Sequence, residues 1–330
     1  MKAPFFTVII DTYNYGQYVE EAVSSVLTQE FPAEEREILV VDDGSTDDTQ
    51  ERLRKFGDAI RYLRKTNGGQ ASAFNFGFEQ ARGEIIALLD ADDVWLPGKL
   101  QRVREAFSRN AEAGLVYHPF VERDTTSQTQ RDSGYSLISG HLFPSRKQLL
   151  TYAIYPTSTL AFRVTALRRL LPVPTELTFQ ADAYLAGLIV FVAAVVALRE
   201  PLAVYRIHGK NLFGGQQTGA LKTKLERRMN TRKAVHDRIA EWLSSNSHGV
   251  ESEPISSYLA QWKFAQACDR FQIEEPDRWT YFRHLWREAR VYGELRSPRH
   301  RLATYAKALA GLVGGYQRQN TPTGADLSWT

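Results

Sequence analysis

The sequence predicts an α/β protein: a mostly parallel sheet with helices on both faces, followed by an α-helical C-terminal region. Three observations predict it. Short apolar runs at 6–10, 37–41, 60–63 and 84–89 alternate with helical patterns, and such alternation with short connections specifies parallel strands. Each of these runs ends in a polar turn. From about residue 216 onward, apolar residues recur only at helical spacing.

The run 6–10 is a short strand closed by Asp11-Thr12-Tyr13-Asn14-Tyr15-Gly16, after which Val19, Ala22, Val23, Val26 and Leu27 mark one helix face. Strand 37–41 enters Asp42-Asp43-Gly44-Ser45-Thr46-Asp47-Asp48-Thr49. Ser45 with Asp48 resembles a capping box, predicting a helix from there to about Phe56. Strand 60–63 leads to the turn Asn67-Gly68-Gly69-Gln70 and a helix to about Ala81, broken by Arg82-Gly83.

The next run is rich in Ile and Leu, reads as a strand buried on both faces, and ends in Asp90-Ala91-Asp92-Asp93. Pro97 cannot extend it and opens a helix that runs to about Asn110. Ligands of open α/β sheets lie beyond the carboxyl ends of the strands. Three carboxylates are thus delivered to a ligand position, where they repel one another. A hard divalent cation is the simplest remedy, and Mg²⁺ or Mn²⁺ suits carboxylates and phosphates together. The alternative is an acidic turn that caps the following helix. No glycine fingerprint follows the first strand and no Walker-type lysine appears. A backbone phosphate cradle is therefore not the device, and carboxylates plus metal suit a nucleotide diphosphate.

Residues 114–121 predict a further strand, and the polar stretch 124–140 a mobile loop. Tyr155-Pro156-Thr157-Ser158-Thr159 precedes a short strand and a basic helix at 164–171. Phe179-Gln180-Ala181-Asp182 opens an apolar helix to about Ala194, and strands at 195–198 and 202–205 deliver Tyr205-Arg206-Ile207-His208-Gly209-Lys210-Asn211. This divides the chain into 1–215 and 216–330. The second part carries four helix faces, around Ile239, Trp262, Trp286 and Tyr305, a linker at 244–254, and a polar tail from about 319 expected to be disordered.

Composition limits the function classes. Forty-one basic and 38 acidic residues give a net charge of +3, too balanced to argue for a nucleic-acid partner. The one cysteine, Cys268, excludes an internal disulfide and any cysteine-rich metal site. The longest charge-free apolar stretch, 183–198, is shorter than the ~20 residues of a membrane span. The N-terminus enters a strand pattern with no signal peptide before it. The expectation is a cytoplasmic protein. Residues 278–307 are basic with interleaved aromatics. They suit peripheral contact with an anionic inner-membrane face, or, more simply, a solvated helix face.

The residues so far carry a resemblance. Thr12-Tyr13-Asn14, Ser25-Val26-Leu27-Thr28-Gln29, Val40-Val41-Asp42-Asp43-Gly44-Ser45-Thr46-Asp47, Asn67-Gly68-Gly69, Asn75-Phe76-Gly77, Asp90-Ala91-Asp92-Asp93 and Trp95-Leu96-Pro97 resemble the family 2 glycosyltransferases of GT-A fold. The resemblance covers about 5–211. It implies an inverting transfer from a nucleotide-diphosphate sugar, UDP-linked by family habit, to a hydroxyl of a glycan or lipid-linked glycan, with Mn²⁺ or Mg²⁺. By position, Asp92 is the principal metal ligand and His208 approaches the metal and pyrophosphate. Asp90 lies toward the ribose, with Ala91 between the two acids. Asp42 meets the base, and Thr12, Tyr13 and Asn14 flank it. Gly69 and Gln70 line the nucleotide pocket, Ser158 and His118 face sugar or acceptor, and Asp182 is the general base.

Each of these has a plainer alternative: Asp182 as a helix N-cap, His208 as a surface histidine, Asp42 as a cap. Two departures stand out. Asp11 occupies a position where the family often has Pro, and Gln180-Ala181 precedes Asp182 where it often has Glu. The rival functions are a sugar-nucleotide nucleotidyltransferase, which would need a basic glycine-rich loop after the first strand, and a non-catalytic sugar-nucleotide-binding protein.

Overall fold

A computed structural model describes residues 3–133, 137, 139–141, 155–209, 211, 221–246, 279, 280, 282, 283 and 286. The chain divides into two compact units: 1–142 with 152–216 and 330, and 143–151 with 217–329.

The first unit is built on β1 (Phe6–Thr12), β2 (Arg36–Asp42), β3 (Arg61–Arg64) and β4 (Ile85–Asp90), interleaved with α1 (Gly16–Leu27), α2 (Thr49–Leu53) and α3 (Gln70–Gln80). After β4 come β5 (Val94–Trp95), α4 (Lys99–Arg109), β6 (Ala113–Tyr117), β7 (Val121–Asp124) and β8 (Gln130–Asp132). Then follow β9 (Ala161–Arg163), α5 (Val164–Leu167), α6 (Ala181–Ile189), β10 (Ala194–Ala197) and β11 (Ala203–Ile207). The main sheet runs β10-β6-β9-β4-β1-β2-β3, with β1 parallel to both β2 and β4.

Period-2 alternation sorts the strand residues. Phe6, Val8 and Ile10 of β1, with Ile85, Ala87 and Leu89 of β4, join one core cluster with Val19, Val23 and Val26 of α1 and Val103 and Phe107 of α4. Ile9 and Val41 face α3 instead, where a methyl group on Gly77 would stand 3.1 Å from Ile9 and 3.2 Å from Val41. Asp11 and Asp90 fall on this second face and pair in register at the carboxyl rim.

Several expectations change. The capping box at Ser45 does not form. The Ser45 hydroxyl accepts the Asn14 N–H (2.9 Å), and Asp47 instead accepts the Thr49 N–H (3.1 Å) and hydroxyl (2.5 Å), so the helix starts only at Thr49. The strand expected at 114–121 is two strands, because the chain leaves one sheet after Tyr117 and enters another at Val121. The polar stretch expected as a mobile loop holds β8, antiparallel to β7. Exposed polar residues hid this edge hairpin from a reading based on apolar runs. The basic helix at 164–171 is one α turn, α5, followed by a 3₁₀ turn at Arg168–Leu170. Helix α6 ends at Ile189 rather than 194, where β-branched Val190 and Val192 begin the approach to β10.

Two features went unforeseen. Strand β9 is antiparallel to both neighbours, β4 and β6. A second sheet, β5-β11-β7-β8, carries the chain back to the acidic turn after β4.

In the second unit, α7 (Leu221–Ser245) buries Val235, Ile239 and Leu243 at helical spacing. Trp279 and Trp286 of the basic stretch are exposed. The faces expected around Trp262 and Tyr305, most of the basic stretch and the tail from 319 lie outside the described residues. Among the described residues, no helix is long and apolar enough to cross a membrane.

Candidate active site

The acidic turn forms because β4 ends at the rim with nothing to extend it. Asp93 N–H closes the turn on Asp90 C=O (3.0 Å), and Ala91 N–H donates to Asp11 C=O (3.2 Å). The chain then reverses into β5. Carboxylate oxygens of Asp90, Asp92 and Asp93 lie within 4.8 Å of one another. Burial, first, and mutual repulsion, second, push the Asp90 and Asp93 carboxyls well above the usual range.

Asp93 is held by the protein: one oxygen accepts the Ser158 hydroxyl (2.6 Å), the other the Arg206 N–H (3.0 Å). Asp92 shares one oxygen between His208 Nε2 (3.0 Å) and Asn211 Nδ2 (3.4 Å). Three carboxylates so placed suit a hard cation, and Asp93 is the one already engaged by Ser158 and Arg206.

Asp11 adds another carboxyl to this rim. It lies within hydrogen-bonding reach of the Asp90 carboxyl, yet its Oδ1 is buried with no partner among the described residues. Burial, then the charges of Asp92 and Asp182, push it up to about 7.

The opposing wall comes from the antiparallel strand. Because β9 runs against β4, the residues just before it sit at the carboxyl rim, where Leu88 N–H donates to Leu160 C=O (3.0 Å). There the 3₁₀ turn Thr157–Thr159 places two neighbouring hydroxyls. Ser158 accepts the Asp90 N–H (3.1 Å) while donating to Asp93, and its carbonyl accepts Trp95 Nε1 (3.1 Å) and the Lys99 amine. Thr157 donates to Asp182 Oδ2 (3.0 Å). Asp182 lies in the first turn of α6, where Ala183 N–H donates to its Oδ1 (2.8 Å). Burial raises its carboxyl, and its charge in turn raises Asp11 and Asp90. Adjacent hydroxyls of one turn thus reach Asp182, through Thr157, and Asp93, through Ser158.

Strand β11 supplies the third side. Arg206, 5% exposed, donates to the Asp92 carbonyl and to Glu21 and lies 4.9 Å over the Tyr18 ring. His208 stacks on Tyr18 with ring centroids 4.5 Å apart. Its imidazole is fixed between that ring and Asp92.

Thr12, Tyr13, Asn14 and Asp42 lie at the carboxyl ends of β1 and β2. Tyr13 is exposed, and the buried Thr12 hydroxyl has no partner among the described residues. Asn14, at φ 58°, accepts the N–H groups of Thr46 (2.8 Å) and Asp47 (3.3 Å) and thereby buckles two loops together. Asp42 is fully buried, with its oxygens on Ser45 N–H (2.7 Å) and the Tyr62 hydroxyl. Gly69 has φ +81°, and a Cβ there would stand 2.7 Å from Thr178, so only glycine fits. Gln70 reaches toward Thr157 and Ala181. His118 is fully buried beneath the site. Its Nδ1 bonds Pro119 C=O (2.8 Å), its Nε2 has no partner among the described residues, and burial drives its pKa well down.

Sequence reasoning counted Asp93 among the three carboxylates at the rim but assigned no roles to Thr157, Arg206 or Asn211. Only the spacing of Asp93 after Asp90 offered a signal. It also missed Asp43, which accepts Gly68 N–H (3.0 Å), Gly69 N–H (2.7 Å) and the Lys65 amine (2.7 Å), and so shapes the loop holding Gly69.

Comparison with known proteins bears on the family and the fold. The model of glycosyl transferase family 2 matches residues 7–171. An uncharacterized glycosyltransferase of Nostoc is 36% identical over 212 residues, spanning 62% of this chain and 65% of that protein. One of Mycoplasma genitalium is 31% identical over 61% of this chain and 67% of its own length. The aligned part thus spans just under two thirds of the Nostoc relative, and only 30% of one from Rickettsia prowazekii. Among solved structures, S. aureus TarS 1-349 superposes with TM-score 0.61 at 18% identity over 95% of this chain and 93% of its own. The mannosyltransferase PcManGT from Pyrobaculum calidifontis, in complex with GDP-Man and Mn²⁺, superposes with TM-score 0.54 at 19% identity over 94% of this chain and 81% of its own. The fold is of the GT-A type, and the chain belongs to glycosyl transferase family 2.

Proposed function

We propose that this chain is an inverting, cation-dependent glycosyltransferase. It moves a sugar from a nucleotide-diphosphate donor, UDP-linked, to a hydroxyl of a glycan or glycolipid acceptor in polysaccharide biosynthesis. The observation that carries this reading is the turn Thr157–Thr159, where neighbouring hydroxyls reach both sides: Ser158 donates to Asp93 and Thr157 to Asp182. One site thus has acids that suit a cation on one wall and an isolated carboxylate on the other. Support comes also from fold neighbours solved with UDP, UDP-GlcNAc or GDP-Man and Mn²⁺.

Asp92, with Asp90 beside it, would hold Mn²⁺ or Mg²⁺, which would supply positive charge to the diphosphate. His208 and Asn211 fix the Asp92 carboxylate that faces it. Tyr13 and Thr12 flank the base, with Asp42 behind them. Asp182 accepts the proton of the acceptor hydroxyl as that oxygen attacks the anomeric carbon and the bond to the nucleotide diphosphate breaks. A carboxyl whose pKa burial has raised is a stronger base than an exposed one, which suits the task.

The test is a thermal-shift panel of sugar nucleotides with and without Mn²⁺. One donor should raise the Tm selectively and only with the cation, because a ligand that binds the folded state stabilises it by mass action. Asp92→Ala should abolish the cation-dependent part of that shift. An unchanged shift in Asp92→Ala, or no donor requiring a cation, would refute the assignment.

A further inference from the structure

Asp182 is fixed at both oxygens. Oδ1 accepts the Ala183 N–H at 2.8 Å and Oδ2 accepts the Thr157 hydroxyl at 3.0 Å. A hydroxyl has one hydrogen to give, and a neighbour that donates to its oxygen leaves that hydrogen for an acceptor on another side. Gln70 does this, because its Nε2 donates to Thr157 Oγ1 at 3.3 Å. The Gln70 amide is itself oriented: its Oε1 must accept, because it faces the Ala181 N–H at 3.0 Å. Gln70 thereby also anchors the left-handed residue Gln180 (φ 58°), from which α6 begins. Thr157 is 1% exposed, too enclosed for its hydroxyl to serve solvent.

We propose that Gln70 and Thr157 are positioning residues for Asp182, forming a one-way relay that sets the plane of the carboxylate against the acceptor hydroxyl. The inference rests on Asp182 being the base. The relay matters because nothing cationic among the described residues touches that carboxylate. The charged groups facing it are Asp11 of β1 and Asp90 of β4, both acidic. Only hydrogen bonds hold it against their repulsion. The same turn fixes Asp93 through Ser158, so one short segment sets the distance between the two walls.

The relay predicts a graded set of variants. Thr157→Val keeps the shape and removes the hydroxyl. Gln70→Glu keeps an acceptor for Ala181 N–H but replaces the donor with a second acceptor, drawing the Thr157 hydrogen away from Asp182. Thr157→Ser restores the hydroxyl. Asp182→Asn is the reference. The assay is UDP release from the sugar nucleotide that most stabilises the wild type, with Mn²⁺ and water as acceptor.

Thr157→Val and Gln70→Glu should lose about 10- to 100-fold in kcat, part of the ~10²–10⁴-fold of general-base catalysis, and Thr157→Val, which changes no charge and no residue of the nucleotide pocket, should keep donor KM and UDP affinity. Their acid limb should move to higher pH, because a carboxylate that loses a hydrogen-bond donor is harder to ionise. Thr157→Ser should recover to within about threefold of wild type, since the donor to the base is back. Wild-type kcat and pH profile in Thr157→Val or Gln70→Glu would overturn the relay. So would a Thr157→Ser as impaired as Thr157→Val, or an equal loss of UDP affinity in Thr157→Val. Normal turnover in Asp182→Asn would remove the base and the relay with it. A dead Asp182→Asn beside an unaffected Thr157→Val would remove the relay alone.

Discussion

Two neighbouring strand tips carry paired acids, and they treat them in opposite ways. At the tip of β2, Asp42 and Asp43 are saturated: Ser45 N–H and Tyr62 hold one, Gly68 N–H, Gly69 N–H and Lys65 hold the other. At the tips of β1 and β4, Asp11 keeps a buried oxygen with no partner among the described residues, and Asp90 is crowded by Asp11, Asp92 and Asp93. Topology brings both pairs to the same rim. What separates them is the supply of donors. Carboxylates satisfied by backbone amides shape loops, whereas carboxylates left to repel one another are built to receive something positive or hydroxylic.

The saturated tip should break most severely. Asp43→Ala leaves two backbone N–H groups and an ammonium without their acceptor. The expected loss is about 2–4 kcal/mol, the range for orphaned buried donors and broken charge pairs. Chemical denaturation checks it, and a loss below about 1 kcal/mol would show that water replaces the carboxylate there.

The unsaturated tip should respond with the opposite sign. Asp11→Asn removes a charge from a repelling group, so the cation-free protein should gain about 2–4 °C in Tm, equivalent to about 1 kcal/mol. Unchanged or lower Tm in Asp11→Asn would mean that the repulsion is already relieved.

The last effect is in pH. An acid with a folded pKa above its unfolded one binds an extra proton only when folded. Its stabilisation is complete below the unfolded pKa and is lost as pH rises through the folded pKa. For Asp11 that window runs from about 3.8 to about 7, and Asp90, Asp93 and Asp182 shift in the same direction. Cation-free protein should therefore lose stability between pH 5 and pH 8, and Mn²⁺ should flatten or reverse that slope. A slope that Mn²⁺ leaves untouched would place the repelling acids away from the cation.

Legibility in the sequence follows the range of the interaction. Strands β1 to β4 and their helices were readable because apolar runs and helical spacing are local. The rim position of Asp42, Asp90 and Asp92 followed from topology. The direction of β9 did not, because three residues, Ala161–Arg163, carry no pattern that distinguishes parallel from antiparallel. Of the turn Thr157–Thr159 that depends on it, only Ser158 was singled out, and Thr157 had no visible role. Hydrogen-bond partners were equally out of reach. Asp42 and Asp43 are adjacent and identical in type, and only their distant donors, Tyr62 and the Gly68–Gly69 amides, tell them apart. Asp11 was visible as a departure from the family pattern, but its unpartnered oxygen appears only once β1 and β4 are in register.

The account stands or falls on the opposition of the two walls. The most direct measurement compares Asp182→Asn with wild type in two assays on the same preparations: UDP affinity with Mn²⁺ by calorimetry, and UDP release from the stabilising sugar nucleotide. Affinity should stay within about twofold while turnover falls by at least ~10²-fold, the lower end for a lost general base. Turnover near wild type, or affinity lost together with turnover, would contradict it.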